Sequence, residues 1–143
     1  MYDSILVATD GSETAAAAAE HAIGLARQFD AELSAVTVLE SRTEYDNAIV
    51  DPEVVEKRRR AAAEETLEDV SASARDASVP IETAIRTGVP HEEILAEADD
   101  CEADVIVVGA RGRSSLRRQL LGGTVDALVR IADRPVFVIE ADE

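Results

Sequence analysis

The run Val105-Ile106-Val107-Val108 sets the tightest limit on what this chain can fold into. Four consecutive β-branched apolar residues have the length and stiffness of a strand buried on both faces. The run stops at Gly109, and Gly112 follows after two residues. Nine more residues lead to Gly122 and Gly123, then to Thr124 and the helical pattern VDALVRIAD. Glycines let backbone N–H groups approach a ligand that a Cβ would hold away. The helix that follows adds unpaired amides and the positive end of its dipole. A strand, a glycine loop and a helix N-terminus in that order form a phosphate-holding arrangement of α/β proteins. The spacing G-x2-G-x9-G-G-T is neither the dinucleotide fingerprint nor the P-loop, which requires a lysine after its last glycine.

The rest of the chain repeats the theme of apolar run and helical segment. Ser4 to Thr9 reads as a first strand, broken by Asp10-Gly11-Ser12. Ser12 is a credible N-cap for the alanine-rich segment after it. In that helix Ala18, Ala22, Leu25, Ala26 and Phe29 recur at helical spacing, which predicts a buried stripe. Leu33 to Leu39 is the second strand, and Glu40 to Asp51 is a polar connection longer than usual, of a kind that is often functional. Pro52 opens a long helix that must stop before Val79-Pro80. Within it, Arg58-Arg59-Arg60 stands among glutamates, which favours ion pairs on a solvated face over nucleic-acid binding. Ile81 to Thr87 alternates apolar and polar residues and reads as an edge or half-exposed strand. A short helix near His91–Asp99, the glycine loop, a helix from Thr124 to about Ala132 and a last strand Val136–Ile139 complete the chain. Five strands alternating with four helices predict an open parallel sheet with helices on both faces.

At 143 residues the chain is expected to be a single domain, 1–143, able to bury a sizeable core without disulfides. The lone Cys101 and the lack of a leader or a long apolar run point to a cytoplasmic setting. The net charge of −16, with Lys57 the sole lysine, argues against binding nucleic acid or an anionic membrane. It resembles the acidic surface of salt-adapted haloarchaeal proteins. Six arginines and two acids between Gly109 and Arg134 make that segment +4, while the remainder is −20. Such an island draws in an anionic ligand. The alternative is that these arginines pair with surface acids.

ILVATDGS, VPHEEI, VIVVGARGRSSLRRQLLGGTVDALVR and RPVFVI together resemble the universal stress protein family, in its ATP-binding branch, over essentially the whole chain. The resemblance implies a Rossmann-like, adenine nucleotide alpha hydrolase-like sheet of strand order 3-2-1-4-5. Its ligand crevice lies beyond the carboxyl ends of the first and fourth strands. It also implies a homodimer through the edge strand Val136, Phe137, Val138 and Ile139. By the same resemblance, ATP with Mg2+ or Mn2+ would be bound. Asp10 would face ribose and adenosine, Ala8, Thr9 and Val38 the base, and Val108 and Gly109 the sugar. Gly112, Gly122, Gly123, Thr124 and Val125 would hold phosphate, with Arg111 and Arg113 beside them. The family pattern has Ser or Thr directly after the third glycine, whereas here Gly123 stands there, which removes one hydroxyl donor to phosphate.

Other chemistries find little support. His21 and His91 lie far apart with no ligand-spaced partner. Ser12, Ser114 and Ser115 lack a nucleophile elbow. The acidic neighbours of Cys101 would raise its thiol pKa. Three functions remain: an ATP-binding regulatory protein with at most slow hydrolysis, a dimeric interaction module that binds no nucleotide, and a true enzyme. The absence of a visible general base disfavours the third. Asp10 has a second role open to it as a turn residue.

Overall fold

The computed structural model of the chain describes residues 2–40, 51–111 and 121–141. Its strands are β1 (Ser4–Ala8), β2 (Glu32–Glu40), β3 (Ile81–Gly88), β4 (Val105–Gly109) and β5 (Val136–Ile139). The helices are α1 (Glu13–Phe29), α2 (Pro52–Asp76), α3 (Pro90–Asp100) and α4 (Gly123–Ile131). All strand pairs are parallel, in the order β3-β2-β1-β4-β5. The reversal of winding falls between β1 and β4, paired through Ile5–Val105, Leu6–Ile106 and Val7–Val107.

The continuous apolar runs are explained by packing on both faces. Ile5, Val7, Leu33, Ala35, Val105 and Val107 project into one core with the inner faces of α1 and α2. Leu6, Val36, Ile106 and Val108 project into the other with Ile94 and Ala98 of α3 and Val125 and Leu128 of α4. Alternation along each strand therefore sends neighbouring residues to opposite cores. β3 is half-exposed at one sheet edge, as its alternating sequence predicts, and β5 forms the other edge.

The buried stripe of α1 differs from its sequence-based expectation. Thr14, Ala15, Ala18, Ala19, Ala22, Ile23 and Ala26 are buried, Leu25 is half-buried, and Phe29 is 41% exposed. The small residues let the helix lie close on β1 and β4, and Ile23 supplies the bulk. Phe29, at the helix end, leaves the core and meets the Tyr2 ring edge-on at 5.2 Å, while Tyr2 meets Phe137 at 6.0 Å. Along α2, Arg59 pairs with Glu56 at 3.7 Å and donates to the Glu40 carbonyl at 2.7 Å, consistent with a solvated helix face. No helix among the described residues is long and apolar enough to cross a membrane.

Candidate functional site

The carboxyl ends of β1 and β4 bring the two sequence-distant motifs together. β1 ends at Ala8, and Thr9 continues its line, donating its N–H to the Val36 carbonyl at 2.9 Å. The Thr37 hydroxyl donates to the Thr9 carbonyl at 2.9 Å, so both backbone groups of Thr9 are held by β2. The chain then turns. The Asp10 carboxylate accepts the Ser12 N–H at 2.9 Å, closing an Asx turn. Ser12 has extended backbone and its hydroxyl oxygen accepts the Ala15 N–H at 3.2 Å, which makes it the N-cap of α1. One role of Asp10 is thus the turn role that its sequence left open.

On the β4 side the backbone is held from three directions. The Ala110 N–H donates to the Ile139 carbonyl at 2.8 Å, and the Ala110 carbonyl accepts the Gly122 N–H at 3.0 Å. Arg111 pairs through both guanidinium nitrogens with the Glu140 carboxylate. Its main chain meets α1: the Thr14 hydroxyl donates to the Arg111 carbonyl at 2.5 Å and accepts the Arg111 N–H at 3.3 Å. Gly109 lies so close under the same turn that a Cβ would stand 2.5 Å from the Thr14 carbonyl carbon and 2.7 Å from the Ala15 nitrogen. Sequence reasoning missed Thr14, whose only signal was a second hydroxyl two residues after the cap.

Across the loop, α4 begins openly. Gly122 is its N-cap, with no side-chain hydrogen bond closing the first turn among the described residues. A Cβ on Gly123 would meet nothing within 4 Å. Helix amides in a first turn have no intrahelical acceptor, so those of Gly123, Thr124 and Val125 form the donor set here. Gly122, expected to donate to phosphate, instead donates to Ala110. The apolar candidates share a face: Val108 and Val125 are buried in the α3/α4 core, with Ala8 and Val38 packed against it. Gly112 and Arg113 lie outside the described residues, as does residues 41–50 of the long connection.

The arginine island is largely neutralised where it can be described. Arg111 pairs with Glu140, Arg130 with Asp126 at 3.1 Å, and Arg134 with Asp99 at 2.5 Å and Asp133 at 3.1 Å. Surface pairing thus accounts for these three side chains, and Arg113, Arg117 and Arg118 lie outside the described residues. Cys101 is half-buried, and burial is the main cause that raises its thiol pKa, with the Glu97 charge adding to it. Burial, more than the acidic surroundings, is therefore what raises this thiol's pKa. Among the described residues no cluster of three His, Cys, Asp or Glu side chains has metal-holding geometry.

Residues 1–140 match the universal stress protein family. The chain belongs to that family. A universal stress protein of Methanocaldococcus jannaschii is 34% identical over 141 residues, covering 98% of this chain and 83% of the relative. The solved structure of universal stress protein UspA from Lactobacillus plantarum superposes with a TM-score of 0.85 at 32% identity, covering 96% of this chain and 97% of the other. A universal stress protein solved in complex with cAMP gives a TM-score of 0.76 at 25% identity and covers 99% of both chains. The order β3-β2-β1-β4-β5 is thus that of a family fold.

Proposed function

We propose that this member of the universal stress protein family binds an adenine nucleotide, ATP with Mg2+ or Mn2+, and acts as a homodimeric regulatory protein. The observation that carries the reading is the open first turn of α4, uncapped by any described side chain and with free space at Gly123, beside the β1/β4 exit. Ala8 and Val38 would receive the base against the α3/α4 core, Asp10 and Gly109 would face the sugar, and the amides of Gly123, Thr124 and Val125 would hold phosphate. The divalent ion would arrive on the phosphates. A family relative in complex with cAMP supports an adenine ligand for this fold. Titration calorimetry in high salt should detect ATP binding, and Gly112→Val should abolish it by filling the loop. Unchanged affinity in that variant would remove the nucleotide from this loop.

Two observations favour a second reading, a dimeric interaction module without nucleotide: Arg111 is paired with Glu140, and the Gly122 amide is engaged by Ala110. Native mass spectrometry separates the readings by the presence or absence of a co-purifying adenine nucleotide. The dimer itself belongs to both. β5 is a half-buried apolar edge, and α4, which precedes it, leaves Val129 at 44% and Ile131 at 55% exposure. Edges of this composition are either paired or aggregation-prone, and an isologous β5–β5 contact would pair it. Subunits carrying −16 each repel, so the dimer should tighten in molar salt, where the screening length falls to about 3 Å. Light scattering should then find a dimer for the natural chain and a monomer for Val138→Lys.

A further inference from the structure

We propose that Thr14 is a positioning residue for the nucleotide site: its hydroxyl fixes the point at which the glycine loop leaves the sheet, without touching the ligand. The inference rests on the nucleotide reading above and adds to it a residue in a different motif. Thr14 is 5% exposed, yet its one hydroxyl serves two polar groups of a residue 97 positions away. It donates to the Arg111 carbonyl at 2.5 Å and accepts the Arg111 N–H at 3.3 Å. The Ser12 hydroxyl reaches the same carbonyl at 3.4 Å, a longer and weaker contact. Beneath them Gly109 has no side chain, and the Thr14 backbone occupies the space a Cβ would need.

These contacts join the two halves of the site. Asp10 and the α1 cap belong to one motif, and Gly109 to Arg111 open the other. Parallel pairing ties β1 to β4 only as far as Val7–Val107. Beyond that pair, the Thr14 hydroxyl and the Gly109 contact, with the longer Ser12 contact beside them, tie the start of α1 to the start of the loop among the described residues. Removing a buried hydroxyl that serves both an N–H and a carbonyl takes a bond from each, leaving the carbonyl its longer Ser12 contact, and lost buried hydrogen bonds are costly. The Arg111 backbone would then seek other partners, and the loop would start from a range of positions. Affinity for a ligand that spans both motifs falls with the fraction of molecules holding the bound geometry.

The test compares Thr14→Val, which keeps the shape and loses the hydroxyl, with Thr14→Ser, which keeps the hydroxyl. Two readouts are taken: exchange of the Arg111 amide by NMR without nucleotide, and ATP affinity by calorimetry. Thr14→Val should speed Arg111 exchange and weaken ATP binding by about ten-fold, the equivalent of one to two lost hydrogen bonds. Thr14→Ser should restore most of both. Faster exchange with unchanged ATP affinity in Thr14→Val would overturn the proposal, as would equal weakening in the two variants. Should the natural chain bind no adenine nucleotide, the nucleotide reading fails and this role with it, whatever the exchange data show about the joint itself.

Discussion

The two flanks of the glycine loop are built on opposite terms. Where β4 ends, Gly109 is pressed beneath the first turn of α1, and the next two residues are held by Ile139, Gly122, Thr14 and Glu140. Where α4 begins, no described side chain caps the helix and Gly123 faces open space. The same residue type thus answers two different demands. Gly109 is required by close packing of helix on strand, so its presence does not by itself report a phosphate. At Gly123 a Cβ would meet nothing within 4 Å, so no contact among the described residues demands glycine there. In the proposed nucleotide reading, the first flank would fix where the site lies and the second would be the surface on which its chemistry can be altered.

The largest effect should come from forcing the packed flank. Gly109→Ala puts a methyl 2.5 Å from the Thr14 main chain, which cannot yield without moving α1. Overpacking of this kind costs about 3 kcal/mol at the upper end of its usual range. Denaturant unfolding at fixed high salt would measure it. A loss below about 1 kcal/mol, small for overpacking, would mean that α1 moves easily and that the two flanks differ less than their contacts imply.

A smaller effect follows from uncapping α1, which would make the packed flank resemble the open one. Ser12→Ala removes the acceptor of the Ala15 N–H, and such caps are worth about 1 kcal/mol. The expected outcome is a lowered unfolding midpoint with an unchanged denaturant slope. Glu140→Gln comes next. Arg111 is mostly buried but Glu140 is 54% exposed, so the pair is worth at most about 1 kcal/mol. That difference between variant and natural chain should shrink as salt rises. A difference that persisted undiminished in molar salt would indicate a pair shielded from solvent.

The strands and their burial on both faces were legible because β-branched runs such as Val105–Val108 satisfy few other roles. The strand order came from the family resemblance, since periodicity carries no information on which strand neighbours which. Phe29 shows where patterning fails: at a helix end, helical spacing no longer decides which face is covered, and the ring turned to Tyr2 instead of the core. The arginine island shows the limit of composition. Asp126 and Asp133 lie beside the arginines they pair with, but two further partners, Asp99 and Glu140, lie 35 and 29 residues away, beyond any local window. Thr14 was invisible for the same reason. A threonine in a first helical turn is unremarkable until β4 is placed beside it.

The smallest expected effect sharpens the open flank. Gly123→Ser adds a side chain where a Cβ meets nothing within 4 Å, at the first residue of α4. Replacing a helical glycine should stabilise the helix by about 0.5 kcal/mol. The added hydroxyl is the one that the family resemblance leads one to expect after the third glycine, and it would give one more donor for phosphate. A net hydrogen bond of about 0.7 kcal/mol corresponds to roughly three-fold in affinity. Calorimetry should therefore show tighter ATP binding in Gly123→Ser than in the natural chain, with a slightly raised unfolding midpoint. The two readouts separate helix from ligand. A more stable variant with unchanged or weaker ATP affinity would place phosphate away from this turn. The open space at Gly123 would then be a consequence of sequence drift, and the dimeric module without nucleotide would become the better account of the chain.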